Sequence, residues 1–193
     1  MKIALAAALA CFTGSLATAA AADPRLDEQV YTPYIETHVL EAGTRFGGEN
    51  GGRLGGAQTL VGELEYGVND RLSLAVVGMA DKGPGESMRL QGLGVEGVYA
   101  LGKIPGLGVD TAAYLEYTHG LNGGDDAVEA KLLAARRFGR VRAVVNLIME
   151  RPLGVADENY ASYGYAAALT WRVAGSLRLG AEAFGGLGSD HCF

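Results

Sequence analysis

Cysteine is nearly absent. Of the two in 193 residues, Cys11 lies in a stretch expected to be removed, which leaves Cys192 alone and excludes a disulfide framework. The chain must therefore hold together through sheet closure or core packing. Clustered basic residues are also missing: 16 Lys and Arg stand against 22 Asp and Glu, for a net charge of −6. That balance is wrong for binding a phosphate backbone, so nucleic acid is not an expected partner. After residue 22 no apolar run reaches the roughly 18 residues of a transmembrane helix. If this chain sits in a membrane, it does so with strands.

What is present begins with an export pattern. Met1-Lys2 supplies a positive start, residues 3–14 are apolar, and Ala20-Ala21-Ala22 before Asp23-Pro24 has the small residues that signal peptidase cuts. Residues 1–22 read as a cleaved signal and 23–193 as one domain. Cys11 raises a lipoprotein signal, but Leu9 stands one place off the usual position, and an ordinary apolar residue of a signal is the reading taken. Cleavage would also remove Lys2, leaving the mature chain one unit more acidic.

From residue 57 onward the hydrophobic period is two. Leu60, Gly62, Leu64 and Tyr66 occupy one parity, and Thr59, Val61, Glu63 and Glu65 the other. After a turn at Gly67-Val68-Asn69-Asp70, Leu72, Leu74 and Val76 resume the apolar parity, which predicts a hairpin. The unit recurs over 91–101, 109–118, 127–138, 141–150, 159–173 and 177–184. With an N-terminal strand around 32–44, about nine strands are expected, or ten if one hides in the glycine-rich stretch 45–56. Thirty glycines suit strands that must bend and pack in a closed sheet.

Strand length separates a membrane sheet from a soluble one. Segments of ten or more residues can cross a bilayer at a tilt, whereas soluble strands average five or six. Connections also alternate, short after residues 66, 138 and 173 and longer at 81–87, 119–126 and 151–158, with 102–108 an intermediate exception. Lipid offers no hydrogen-bond partners, so a spanning sheet must close on itself. The expected fold is therefore all-β, an antiparallel up-and-down transmembrane β-barrel. Its apolar parity would face lipid and its polar parity the interior, with Tyr66, Tyr99, Tyr117, Tyr163 and Trp171 near strand ends as interfacial anchors.

The stretch from Tyr66 to Leu74, Tyr-Gly-Val-Asn-Asp-Arg-Leu-Ser-Leu, resembles the periplasmic hairpin of porin-like and transporter-like outer-membrane proteins, including those grouped with phenol-degradation-pathway outer-membrane proteins. The resemblance extends over residues 30–187. It implies a bacterial outer-membrane location, outer-membrane lipid and the outer-membrane assembly machinery as partners, and passive or facilitated transport. It carries no catalytic or ligand motif. Phe193 supplies the terminal aromatic of such barrels, but Gly188-Ser189-Asp190-His191-Cys192 is not an alternating strand, and an odd strand count departs from the even number of single-chain bacterial barrels. A chain truncated or altered after about residue 187 is the expectation.

Sites for chemistry are few. His38, His119 and His191 make no evident pairing with Ser73, so no enzyme and no cofactor are expected. Asp190-His191-Cys192 has metal-ligand residue types, yet three adjacent residues cannot all turn to one ion. Asp125-Asp126 lacks the alternating carboxylates of a calcium loop. The stretch Phe46 to Gly56 has no phosphate-loop lysine and reads as an external loop. What remains is the inward parity: Glu63, Glu65, Glu96, Glu116, Glu129, Glu150 and Glu182 with Lys131, Arg142, Arg172 and Arg178. These are the candidate residues of a cation-favouring bore, if the opposed charges do not pair and plug it. Two other functions fit the same pattern: a structural or adhesive barrel with functional surface loops, and a soluble periplasmic lipid-binding β-barrel.

Overall fold

The computed structural model describes residues 29–52, 54–154 and 160–189; the expected export signal, Cys11 and residues 190–193 lie outside them. Nine strands follow one another as β1 (Leu40–Gly48), β2 (Gln58–Gly67), β3 (Leu72–Lys82), β4 (Arg89–Ile104), β5 (Val109–Gly120), β6 (Ala127–Phe138), β7 (Val141–Pro152), β8 (Ser162–Ala174) and β9 (Leu177–Ser189). Each pairs antiparallel with its sequence neighbours, in the order β1 to β9 without a crossover. The result is an up-and-down sheet curled into a half-barrel. Among the described residues β1 and β9 are each paired on one side, so the expected closure within nine strands is not met.

Parity is kept along the whole ladder. Leu60, Leu74, Val95 and Leu147 stand 42–57 % exposed on the convex side, while Val61, Ala75, Val77, Val98, Ala112, Leu133, Val144 and Ala166 are buried on the concave side. Register shifts at Met79/Ala80, Ala100/Gly102, Tyr163/Gly164 and Arg172/Ala174 add local bends near strand ends.

Three expectations change. The connection expected at 102–108 shortens to 105–108, because β4 continues past Gly102 through a bulge at Leu101. The rims then separate cleanly: the β2–β3, β4–β5, β6–β7 and β8–β9 connections at one, the longer β1–β2, β3–β4, β5–β6 and β7–β8 connections at the other. Among the described residues of 45–56 no additional strand is found; β1 ends at Gly48 and a long connection leads to β2 at Gln58. At the far end β9 stays paired to Ser189, opposite Ser162, five residues beyond the expected end of the last strand at 184.

The largest change is at the N-terminus. The strand expected around 32–44 starts only at Leu40, and residues 29–38 run as an irregular strap across the concave face. Pro33 has no N–H to give a ladder, which disfavours a strand there. The strap turns into β1 at His38, whose φ of 59° is left-handed. His38 N donates to Gly67 O at 2.7 Å and Gly67 N to Val39 O at 3.1 Å, a clasp that ends β2. A Cβ on Gly67 would collide with the backbone carbonyl of Glu36. Gly67→Ala is therefore expected to cost about 2 kcal/mol in equilibrium urea unfolding and to expose residues 29–38 to added protease. Unchanged stability and protection would show that the clasp does not seat the strap.

Candidate functional site in the strapped concave face

The concave face takes its polar residues from the inward parity and one aromatic from the strap. Tyr31 N donates to Asn146 Oδ1 at 2.8 Å, and Asn146 Nδ2 donates to Tyr31 O at 2.9 Å. The side-chain amide of β7 thus replaces a neighbouring strand for one strap residue. Asn146 is 0 % exposed, and both of its hydrogen-bonding ends are used. Such satisfaction is what makes a buried amide tolerable.

Around that anchor the charges close in. The Tyr31 hydroxyl donates to Glu96 Oε2 at 3.2 Å, and Tyr114 Oη reaches the same oxygen at 2.7 Å and Glu116 Oε2 at 2.5 Å. A phenol has one proton to donate, so Glu96 and Glu116 compete for that of Tyr114. Burial first, and Glu96 second, push the Tyr31 phenol above its ordinary range and keep it a donor. The Tyr31 and Tyr114 rings lie 4.6 Å apart at 47°. Lys131 Nζ sits 4.6 Å and 5.0 Å from their centroids and 3.0 Å from Glu129 Oε1. Lys131 is 6 % exposed, so its pairing with Glu129 and its ring contacts offset a desolvation cost of several kcal/mol, while Glu96, as deeply buried, relies on the two phenols. Arg45 Nη1 completes the set, bound to Gln29 Oε1 at 2.7 Å and Glu63 Oε2 at 2.9 Å. The strap is held to β1, β4 and β7 at once.

Two cavities flank Tyr31. One, of about 390 Å³, opens toward the short-turn rim and is lined by Glu63, Glu65, Ser73, Arg137 and Arg142 with strap residues. The other, of about 290 Å³, opens toward the long-loop rim beside Asp81, Glu116, Glu129, Lys131 and Glu150. Eight of the expected inward residues, Glu63, Glu65, Glu96, Glu116, Glu129, Lys131, Arg142 and Glu150, therefore gather around the strap. Arg172, Arg178 and Glu182 do not. They lie exposed on β8 and β9 at the open edge, Arg172 opposite Arg178 in register.

Sequence reading missed Tyr31, Gln29, Arg45 and Glu41, because a segment read as strand says nothing of side chains laid across a sheet. Pro33 between two tyrosines was the available signal. The loop pair Asp125-Asp126 has a structural use for its second member. Asp126 accepts from Tyr117 Oη, from Gly120 N at 3.0 Å and pairs with His119 Nδ1 at 2.7 Å. Among the described residues no group of three or more His, Cys, Asp or Glu could hold a metal.

No family model matches the chain, and no curated protein or solved structure matches it either.

Two predictions follow from these contacts. Asn146→Ala leaves the Tyr31 N–H and C=O without partners, and amide hydrogen exchange at Tyr31 is expected to speed up at least tenfold, whereas Tyr31→Phe, losing one hydroxyl, costs only about 1 kcal/mol. Equal protection in wild type and Asn146→Ala would mean that the strap is held elsewhere. At the loop, the Tyr117 hydroxyl first, then Gly120 N and His119, hold the Asp126 carboxyl below its ordinary value. The brace is therefore fully present above the unfolded carboxylate value of about 3.9 and is lost as pH falls through the lower folded value. An NMR titration of Asp126 with a midpoint at or above that of an unstructured peptide would refute it.

Proposed function

We propose that this chain is an exported outer-membrane β-barrel protein whose convex face meets lipid and whose strapped concave face lines a path for small solutes. The observation that carries the reading is the distribution of the exposed apolar side chains. Tyr66, Tyr99, Phe138 and Trp171 stand exposed near the short-turn rim, and Phe46, Tyr117 and Tyr163 near the long-loop rim. Between them the exposed residues are mainly aliphatic, among them Leu64, Leu74, Val76, Val95, Leu115, Leu132, Val145, Leu147 and Leu169. Interfacial aromatics bracketing an aliphatic band is the pattern a bilayer selects. On β8 the eight steps from Tyr163 to Trp171 make about 26 Å of strand, or about 20 Å of height at a 40° tilt, close to the ~25 Å apolar band of such barrels.

A sheet carrying so broad an exposed apolar face in water would aggregate, since monomeric soluble proteins keep such patches to roughly 300–600 Å². The soluble lipid-binding alternative needs the opposite lining. An apolar ligand finds carboxylates, Lys131 and Arg142 on the concave side instead. Membrane insertion also requires partners for the free edges of β1 and β9. With nine alternating strands those edges run in the same direction, so direct pairing between them would be parallel.

One observation favours the plugged structural or adhesive barrel as a second reading: Lys131 with Glu129 on β6, and Arg45 of β1 with Glu63 of β2, already pair on the concave face beside the strap. Cell fractionation with a heat-modifiability gel tests the location, with faster migration of the unboiled protein expected; recovery in the soluble fraction without detergent would overturn it. Planar-bilayer recordings then divide the two readings. Discrete channel events from refolded full-length protein are expected, larger on deletion of residues 29–38, and silence in both forms would leave the plugged barrel.

A further inference from the structure

The cavity at the short-turn rim is lined by opposite charges on opposite walls. Glu41 and Glu65 are register partners on β1 and β2, and Glu36 joins them from the strap. None of these three is within ion-pairing distance of a cation among the described residues, so three carboxylates face one space without compensation. Across it stand Arg137 and Arg142, register partners on β6 and β7. Like charges directly opposite in a sheet are unfavourable on both sides. The Arg142 guanidinium lies 5.0 Å over the Tyr34 ring, and its Nε is buried without a hydrogen-bond partner.

The cavity wall between the charges carries the independent sign of a ligand. Ser73, on β3, lines the same cavity at 2 % exposure, and its Oγ has no hydrogen-bond partner. A buried hydroxyl left unmade costs free energy that a sheet position could avoid with alanine, as its neighbour Ala75 does on the same face. With about 390 Å³ open to one rim, the space suits a molecule of a few to a dozen heavy atoms.

We infer that this cavity is a binding site for a small zwitterionic solute of the amino-acid type, its ammonium held by Glu36, Glu41 and Glu65, its carboxylate by Arg137 and Arg142, and Ser73 hydrogen-bonding the middle. A solute bearing one charge leaves one wall uncompensated, and only a molecule with both signs relieves both walls. The assignment concerns the folded chain and holds whatever covers its convex face, so its failure would leave the membrane reading standing.

Isothermal titration of refolded full-length protein in detergent at low salt, with 4-aminobutyrate, 6-aminohexanoate, hexylamine and hexanoate as probes, tests the site. At least one zwitterion is expected to bind tenfold or more tighter than both singly charged compounds, and to weaken as salt rises. Glu65→Gln is expected to abolish the advantage over hexanoate, and Arg137→Gln the advantage over hexylamine. Neither residue has an ion-pair partner to lose, and the far-UV circular dichroism spectrum and urea midpoint of each, compared with wild type, check its fold. Glu41→Gln and Arg142→Gln serve as second variants on each wall should either fail to fold. Ser73→Ala is expected to weaken the zwitterion three- to tenfold. Zwitterions binding no tighter than the single charges, or keeping their advantage in both wall variants, would overturn the assignment.

Discussion

Every structural feature here depends on antiparallel pairing held in register over nine strands. In a strand, successive side chains leave opposite faces, so a slip of one residue in a single hairpin would turn its aliphatic residues into the concave space and its carboxylates outward. The ladder resists that slip because the apolar side chains of neighbouring strands share one face and the small and polar ones the other, so one slipped strand would mismatch both. Glu65 lies opposite Glu41 and Ala75, Glu116 opposite Glu96 and Glu129, and Glu129 opposite Glu150. Charged rows therefore run across strands rather than along them, and they are tolerable only where the curl brings counter-charges or hydroxyls over them.

The strap supplies part of that compensation. Lys131 from β6, Arg45 from β1, Tyr114 from β5 and Tyr31 from the strap meet over the carboxylates of β2, β4, β5 and β6. A small apolar cluster of Val98, Ala112, Tyr114 and Leu133, with Tyr31 packed on it, sits beneath them. The core is therefore not a layer between two sheets but a patch between one sheet and ten residues of irregular chain. Polar networks in such a setting hold tightly when every member is satisfied and cost heavily when one is removed. That asymmetry is why Asn146, with both ends of its amide on Tyr31, carries more of the strap's attachment than any single phenol.

Charge along the curl is not uniform. Uncompensated carboxylates gather on β1, β2 and the strap, guanidiniums on β6 and β7, with Arg172 and Arg178 continuing the basic side to the β9 edge. A sheet this curved sets those two groups facing each other across the concave space instead of side by side, so the concave face holds a transverse field near the short-turn rim. Solutes with both signs of charge are oriented by such a field, and solutes of one sign are drawn to one wall.

Much of the sheet was legible in the residues themselves. Period-two alternation located strands at β2 to β9 to within a few residues, and it separated Leu60, Leu74 and Leu147 from Glu63, Glu96 and Glu150, because the two faces of a strand are a local property of the chain. The reading failed at β1, whose start was placed eight residues early, and at β4, where a bulge at Leu101 carried the strand past Gly102. Both failures are cases where a neighbouring strand decides what a short segment does. Eight of the eleven residues expected to face inward gather around the strap, but Arg172, Arg178 and Glu182 lie apart from the rest because they sit beside an edge, which parity does not reveal. Sequence alone determined which side chains share a face, since that follows from backbone geometry one residue at a time. Only the tertiary structure decided that Tyr31 crosses the sheet to Asn146, that Ser73 opens onto a cavity, and that Glu65 and Arg142 face each other across it, because these relations join residues up to 115 positions apart and exist only once the sheet has curled.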